Sequence, residues 1–129
     1  MTTKTNKIFL LSAPYDNPFQ GSALRYVFVC SAGLLRSPTA AAVAIKLGYN
    51  ARSCGCEDYA LIPLSANLIE WAHKIFFMNE ENYMSALNTF RPLKEYEEMI
   101  LNKAVCWDIE DEYDYDNHLL KAQVKKLLT

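Results

Sequence analysis

A cysteine and an arginine separated by five residues are the pair in this sequence best placed to do chemistry. Cys30 ends an apolar run, "RYVFVC", and Arg36 stands directly before Ser37 and Pro38. The residues between the pair are small or apolar, so their main-chain N–H groups can converge on one point. Such amides, together with a guanidinium, suit a tetrahedral oxyanion such as phosphate. The spacing predicts a phosphate-binding loop made of Ser31, Ala32, Gly33, Leu34, Leu35, Arg36 and Ser37.

The same surroundings favour the anionic form of the Cys30 sulfur. Amides, a guanidinium and the positive end of a following helix stabilise a thiolate over a thiol, and Ser37 is placed to donate its hydroxyl to the sulfur. A thiolate would attack a phosphorus atom held in the loop and form a phosphocysteine, which water then hydrolyses. We interpret Cys30 as a nucleophile and Arg36 as its phosphate-binding partner. The alternative is a buried core thiol beside a surface arginine.

A proton donor for the leaving group is the other requirement of such chemistry. The sequence "DIEDEYDYD" follows a predicted strand and carries several carboxylates. If that strand is parallel to the one ending at Cys30, both segments leave the same edge of the sheet. The spacing leaves the choice between Asp108 and Asp111 open.

The elements that must position these residues alternate between strands and helices along the chain. The pattern predicts a doubly wound α/β fold, with a four-stranded parallel sheet and helices on both faces. Ser37 is predicted as the N-cap of the first helix, with Pro38 at its first position. We expect residues 1–24 to form an N-terminal extension, an edge strand plus a connector, and residues 25–129 to form the α/β domain.

Composition narrows the function. The chain has 129 residues and a formal net charge of -2, without the basic surplus of a nucleic-acid-binding protein. Its apolar runs are too short to span a membrane, and four cysteines are too few for a disulfide scaffold, which predicts a cytoplasmic protein. Cys54-Gly55-Cys56 lacks a second ligand pair, so we expect no metal. The absence of a glycine-rich nucleotide motif predicts no organic cofactor.

The segments "VCSAGLLRSPTA" and "DIEDEY" resemble the two signatures of the low-molecular-weight protein tyrosine phosphatases. The likeness is closest to a compact bacterial branch of predicted tyrosine phosphatases and covers about residues 25–128. It implies a flavodoxin-like fold with Cys30 as nucleophile, Arg36 as phosphate-binding arginine and Ser37 as the serine that stabilises the thiolate. It also implies Asp111 as the acid and Tyr113 as an aromatic lining the substrate cleft. Tyr59, after the second strand, is a further cleft candidate.

Three positions depart from the pattern of that family. Gly33 replaces an asparagine that pins the loop through side-chain hydrogen bonds, and Leu35 replaces a second cysteine that protects the nucleophile as a disulfide. Glu112 replaces the proline that usually follows the acid. The resemblance therefore implies a looser loop and a less rigid acid segment than usual.

These observations predict a cysteine-dependent phosphatase acting on aryl phosphates, with protein phosphotyrosine or a small aryl phosphate as substrate. Two alternatives stay open. A thiol-dependent arsenate reductase would share this loop but needs further cysteines, and Cys106 is the only one past the third strand. A phosphate-binding module without turnover would explain Gly33 and Glu112, although binding alone requires no nucleophile.

Overall fold

The computed structural model describes residues 23–33, 36–109 and 117–129. Its centre is a sheet of four parallel strands, in which the second strand of the chain lies at one edge, followed by the first, the third and the fourth. The sheet confirms the predicted four-stranded parallel architecture. The strands are β1 (Arg25–Cys30), β2 (Asn50–Gly55), β3 (Lys74–Phe77) and β4 (Ala104–Cys106).

Five helices connect or follow the strands in the described residues. Side chains of Ser65, Asn79 and Asn117 cap the second, third and fifth helices by accepting main-chain N–H groups, as these residue types do at helix starts. The helices are α1 (Arg36–Lys46), α2 (Ala66–Trp71), α3 (Glu80–Phe90), α4 (Lys94–Lys103) and α5 (His118–Leu128).

The predicted N-cap of α1 is wrong. The helix begins at Arg36, so Ser37 is its second residue rather than its cap. Its hydroxyl donates to the main-chain oxygen of Cys54, at the end of β2. Ser37 therefore links the start of α1 to the sheet, a connection that the local sequence signal for a cap does not reveal.

Both faces of the sheet are covered, because side chains of a strand point alternately to opposite sides. On one face, Phe28 packs with α1 and α5 through residues such as Ala44 and Leu120. On the other face, Val29 packs with α2, α3 and α4. The central strand is buried on both sides, which is the pattern of a parallel strand between two helical layers. The prediction of helices on both faces is confirmed.

The strand order reverses beside β1. The chain passes from β1 to β2 on one side and then returns to place β3 on the other. Ligands of open α/β sheets bind at the carboxyl ends of the strands at such a point. Cys30 is the last residue of β1, so the topology places it there.

The predicted N-terminal extension falls largely outside the described residues. Residues 1–22 are not described, so the division into an extension of residues 1–24 and a domain of residues 25–129 stays a prediction. A cytoplasmic location also stays a prediction. Within the described ranges, no helix is both long and apolar enough to cross a membrane.

Candidate active site

The Cys30 sulfur lies at the carboxyl end of the central strand and receives two polar contacts. Although Cys30 is only 3% exposed, the main-chain N–H of Gly33 donates to its Sγ at 3.2 Å. The Oγ of Ser37 lies 3.1 Å from the same sulfur. The N-terminus of α1 follows this loop and adds the positive end of its dipole. The sulfur is therefore buried among apolar neighbours, yet contacts groups that stabilise a negative charge.

Ser37 joins two strand ends through one hydroxyl group. Its Oγ donates to the main-chain oxygen of Cys54 at 3.2 Å and also contacts the Cys30 sulfur. A hydroxyl carries a single hydrogen, so these two bonds use it in different protonation states. With a thiol, Cys30 donates to Ser37 and Ser37 donates to Cys54. With a thiolate, the Ser37 hydrogen turns to the sulfur.

Gly33 lets the loop approach the end of β2 closely. Its φ is +75°, in the left-handed region that glycine adopts without cost. A Cβ at this position would lie 2.9 Å from both the main-chain carbon of Cys54 and the nitrogen of Gly55. Any side chain at residue 33 would therefore displace main-chain atoms. The close approach gives a physical reason for glycine at a position where the resembled family has asparagine.

Arg36 is buried rather than on the surface. Its residue exposure is 1%, which contradicts the alternative of a surface arginine beside a helix. One Nη1–H donates to the main-chain oxygen of Ile109 at 2.9 Å. Burying a guanidinium costs several kcal/mol in lost hydration, and the hydrogen bond to Ile109 offsets part of that cost. The bond to Ile109 also ties the start of α1 to the segment after β4.

The candidate acids are described only in part. Asp108 is exposed and lies in the described segment after β4. Asp111 and Tyr113 lie outside the described residues, as do the loop positions Leu34 and Leu35. The assignment of Asp111 over Asp108 therefore stays a prediction. The main chain leads into the acidic segment from Ile109, the residue whose oxygen Arg36 binds.

The second cleft candidate and the small loop residues are described. Tyr59 is 67% exposed in the loop after β2, on the carboxyl side of the sheet. Ser31 and Ala32 directly follow Cys30 and are partly buried. The main-chain oxygen of Ser31 accepts the N–H of Glu57 at 3.1 Å. The loop after β1 is thus held against the loop after β2.

A residue missed by the sequence interpretation enters the site from a distant helix. Asn82, in the first turn of α3, donates from Nδ2 to Ser31 Oγ at 3.1 Å. The segment "NEEN" indicates only a helix start, with Asn79 as its cap. Asn82 is a polar residue on the buried side of the first helical turn after a parallel strand. That turn lies at the carboxyl edge of the sheet, so this placement is the signal that could have identified Asn82.

The other cysteines have different surroundings. All four cysteines are free, and only Cys106 is exposed. Burial, followed by the charges of Cys30 and Cys56, raises the pKa of the Cys54 thiol well above its ordinary value. Burial also raises the pKa of Cys56. Among the residues that the structure describes, no group of three or more His, Cys, Asp or Glu side chains is arranged to hold a metal ion.

The chain is similar to known proteins in structure. Neither a protein-family model nor a curated protein matches the sequence. Several solved structures superpose on most of the chain, and three of them illustrate the likeness. The YwlE arginine phosphatase from Geobacillus stearothermophilus is 17% identical, with a TM-score of 0.61 over 81% of this chain and 88% of its own.

The other two come from Vibrio species. Wzb from Vibrio vulnificus, solved in complex with benzylphosphonate, is 16% identical, with a TM-score of 0.58 over 83% of this chain and 92% of its own. A low-molecular-weight phosphotyrosine phosphatase from Vibrio cholerae is 17% identical, with a TM-score of 0.55 over 82% of this chain and 90% of its own. At these identities the likeness concerns the fold. The predicted resemblance is confirmed at that level: the chain has the fold of the low-molecular-weight protein tyrosine phosphatases.

Proposed function

We propose that this protein is a cysteine-dependent phosphatase that hydrolyses aryl phosphate monoesters, with protein phosphotyrosine as its substrate class. One observation carries the proposal. The Cys30 sulfur, at the switch point of the sheet, contacts both the Gly33 N–H and the Ser37 hydroxyl at the start of α1. The likeness to phosphatases of known structure supports it.

The proposed reaction proceeds in two displacements at phosphorus. In the first, the Cys30 thiolate forms an S–P bond while the bond from phosphorus to the aryl oxygen breaks, and a carboxylic acid gives that oxygen a proton. In the second, the resulting carboxylate removes a proton from water, the water oxygen bonds to phosphorus and the S–P bond breaks. Inorganic phosphate and the thiolate are regenerated.

Ser37 serves both displacements in this scheme. Its hydrogen turns to the sulfur when Cys30 is a thiolate and to the Cys54 oxygen when the sulfur is bonded to phosphorus. It therefore stabilises the nucleophile before attack and the leaving thiolate in the second displacement. Because the Cys54 oxygen is already within 3.2 Å of Ser37 Oγ, the change requires only rotation of the hydroxyl group.

Arg36 and the loop amides bind the phosphoryl oxygens in this proposal. A guanidinium presents donors in a planar fork that matches two oxygens of a phosphate. Its bond to the Ile109 oxygen fixes the side chain, so little side-chain entropy is lost when phosphate binds. Prealigned donors of this kind stabilise the charge that develops during phosphoryl transfer.

Asp111 is the proposed acid, on the strength of its position in the motif, and Asp108 is the alternative. We expect Asp111→Asn to lower kcat/KM by about a hundredfold for phenyl phosphate, whose leaving group needs a proton. For p-nitrophenyl phosphate, a better leaving group, the loss should be smaller. Asp108→Asn is the matched control. If it shows this dependence on the leaving group and Asp111→Asn does not, the acid is Asp108.

Two phosphorylated side chains, phosphotyrosine and phosphoarginine, are the candidate substrates. The structural neighbours include an arginine phosphatase, a phosphotyrosine phosphatase and a protein bound to benzylphosphonate. Tyr59, which is exposed in the loop after β2, is the proposed aromatic contact for an aryl group, and Tyr113 is a second candidate by its position in the motif. An aromatic lining of this kind would favour phosphotyrosine. Phosphotyrosine and phosphoarginine peptides, assayed side by side, separate the two substrates.

The position of Cys106 favours hydrolysis over an arsenate reduction that passes a disulfide from Cys30 to this residue. A reductase of this type passes a disulfide between thiols, and the exposed one here is Cys106 on β4. Because β3 separates β1 from β4, these strands are about 9.6 Å apart. A disulfide needs Cα atoms within about 7 Å. Arsenate-dependent consumption of thiols would overturn this preference.

The direct test is hydrolysis of p-nitrophenyl phosphate by the wild type and two variants. We expect activity that chelators leave unchanged and vanadate blocks. Cys30→Ser should lower kcat at least about a thousandfold, since it removes the nucleophile. Cys106→Ser, at an exposed cysteine, should retain activity. Activity that survives Cys30→Ser would contradict the proposal, and phosphate binding without turnover would favour a binding module.

A further inference from the structure

Asn82 reaches the candidate phosphate loop from the opposite layer of the molecule. It is the third residue of α3, and its N–H donates to the side chain of Asn79, which caps the helix. The Asn82 side chain is buried, with 2% residue exposure. Its Nδ2 donates to Ser31 Oγ at 3.1 Å and to Cys56 Sγ at 3.6 Å. One amide group thus contacts the segments that follow both β1 and β2.

The polarity of the contact determines what the Ser31 hydroxyl can do. An amide nitrogen only donates, so the Ser31 oxygen accepts the bond from Asn82. The hydrogen of the Ser31 hydroxyl must then be directed toward another acceptor. Ser31 directly follows Cys30 in the loop, where a bound phosphate would offer oxygen acceptors. The contact therefore prepares Ser31 as a donor.

The amide oxygen of Asn82 does not contribute to the stability of the fold. Within the described part of the chain, its Oδ1 is buried and has no hydrogen-bond partner. Buried polar atoms are nearly always paired, because an unpaired one destabilises the fold. An apolar residue of similar size would avoid that cost. The contacts that the Asn82 amide makes are those of its nitrogen with Ser31 and Cys56.

Few other side-chain anchors hold the described part of the loop, residues 31–33. Ala32 and Gly33 carry no polar side chain, and a larger residue at position 33 would collide with β2. Ser31 is held by its main-chain oxygen, which accepts from Glu57, and by its side chain through Asn82. The first of these bonds fixes the path of the main chain. Only the second fixes the direction of the hydroxyl group.

We propose that Asn82 is a positioning residue of the phosphate site, and that it orients the Ser31 hydroxyl to donate to a phosphoryl oxygen. This inference rests on the proposed function, since it concerns the same loop. Asn82 contacts Ser31 and does not contact the reacting atoms. Its effect on binding must therefore pass through Ser31.

The test compares Asn82→Ala, Ser31→Ala and the double variant, with Asn88→Ala as control because Asn88 is an exposed asparagine of the same helix. Dissociation constants for inorganic phosphate are measured by calorimetry, and kcat/KM is measured with p-nitrophenyl phosphate. Each single variant should weaken phosphate binding and lower kcat/KM by about tenfold, the effect of one lost hydrogen bond. The double variant should be no worse than either, and Asn88→Ala should match the wild type.

Asn82→Asp sharpens the test because it keeps the shape and reverses the polarity. A carboxylate would accept the Ser31 hydrogen and repel phosphate, so its phosphate binding should be weaker than that of Asn82→Ala. If Asn82→Asp does not fold, the cycle with Ser31→Ala still decides. The inference would be overturned if the losses of the two single variants multiplied in the double variant. It would also be overturned if folded Asn82→Ala bound phosphate as tightly as the wild type.

The outcomes also separate this inference from the proposed function. A wild type that binds phosphate without hydrolysing aryl phosphate overturns the proposed phosphatase, while the binding arm still decides the role of Asn82. A wild type that binds no phosphate overturns both. A structural role alone would lower the melting temperature of Asn82→Ala and leave phosphate binding by the folded protein unchanged.

Discussion

Cys30 and Cys54 stand at the ends of neighbouring strands and differ in what surrounds their sulfur atoms. In the register of β1 and β2, Val29 is opposite Cys54 and Cys30 is opposite Gly55. Both cysteines are almost completely buried, at 3% and 0% exposure. Both also contact Ser37, the first through its sulfur and the second through its main-chain oxygen.

The difference lies in the donors. The Cys30 sulfur receives the Gly33 N–H and faces the Ser37 hydroxyl. For Cys54, burial is the main cause of a raised thiol pKa, and the charges of Cys30 and Cys56 add to it. Two sulfur atoms that are buried to nearly the same degree therefore have different hydrogen-bonding surroundings. Donors directed at the sulfur, rather than depth in the protein, distinguish a candidate nucleophile from a core thiol.

Among substitutions that leave both cysteines in place, we expect the largest effect at Arg36, the proposed phosphate-binding arginine. Arg36→Lys keeps a positive charge but loses the planar fork, so kcat/KM for p-nitrophenyl phosphate should fall by about a hundredfold or more. Arg91→Lys is the control, since Arg91 is exposed and pairs with Glu97 at 3.6 Å. Equal activity of the two variants would mean that a positive charge at residue 36 suffices and that the planar guanidinium is not required.

We expect a smaller loss of kcat/KM from a substitution at Gly33, where the loop contacts β2. Gly33→Ala places a Cβ against the main chain of Cys54 and Gly55, which should move the Gly33 N–H away from the sulfur and lower kcat/KM by about tenfold. Gly48→Ala is a matched control. Its φ is +99°, but nothing lies within 4 Å of the added Cβ. It should lower stability by about 1 kcal/mol without changing kcat/KM. A similar loss of activity in both variants would contradict the role of the close approach.

The smallest effect concerns Cys54. Cys54→Ala should cost about 1–2 kcal/mol of stability for the lost packing and change kcat/KM less than about threefold. The folded-state pKa of Cys54 lies above the unfolded value near 9.0, so its stabilising contribution is complete below that pH and is lost as pH rises. The stability difference between wild type and variant should therefore narrow above about pH 9. Parallel stability curves from denaturant titrations at pH 8 to 10.5 would contradict this.

Local sequence signals predicted much of the fold and part of the site. The apolar run before Cys30 indicates a strand buried on both faces, and Gly48 marks the end of α1, as the structure confirms. These signals are local because hydrophobic periodicity and turn residues act within a few positions.

The contacts that hold the candidate site together were not predictable in this way. Arg36 binds the oxygen of Ile109, 73 residues later, and Asn82 binds Ser31 across 51 positions. Such contacts depend on which strand ends become neighbours and how closely the loops approach. The clash that a side chain at Gly33 would cause has the same origin. Sequence patterns identify the carboxyl edge of the sheet but not the distances across it.

The most direct test of the account is to find which cysteine carries phosphate during turnover. Wild-type protein is mixed with p-nitrophenyl phosphate, quenched within milliseconds, digested, and mapped by mass spectrometry. The account predicts a phosphorylated Cys30 that disappears in Cys30→Ser and persists in Cys54→Ala. Phosphate on another residue, or steady hydrolysis with no phosphate on Cys30, would contradict the claim that the donors around this sulfur make it the nucleophile.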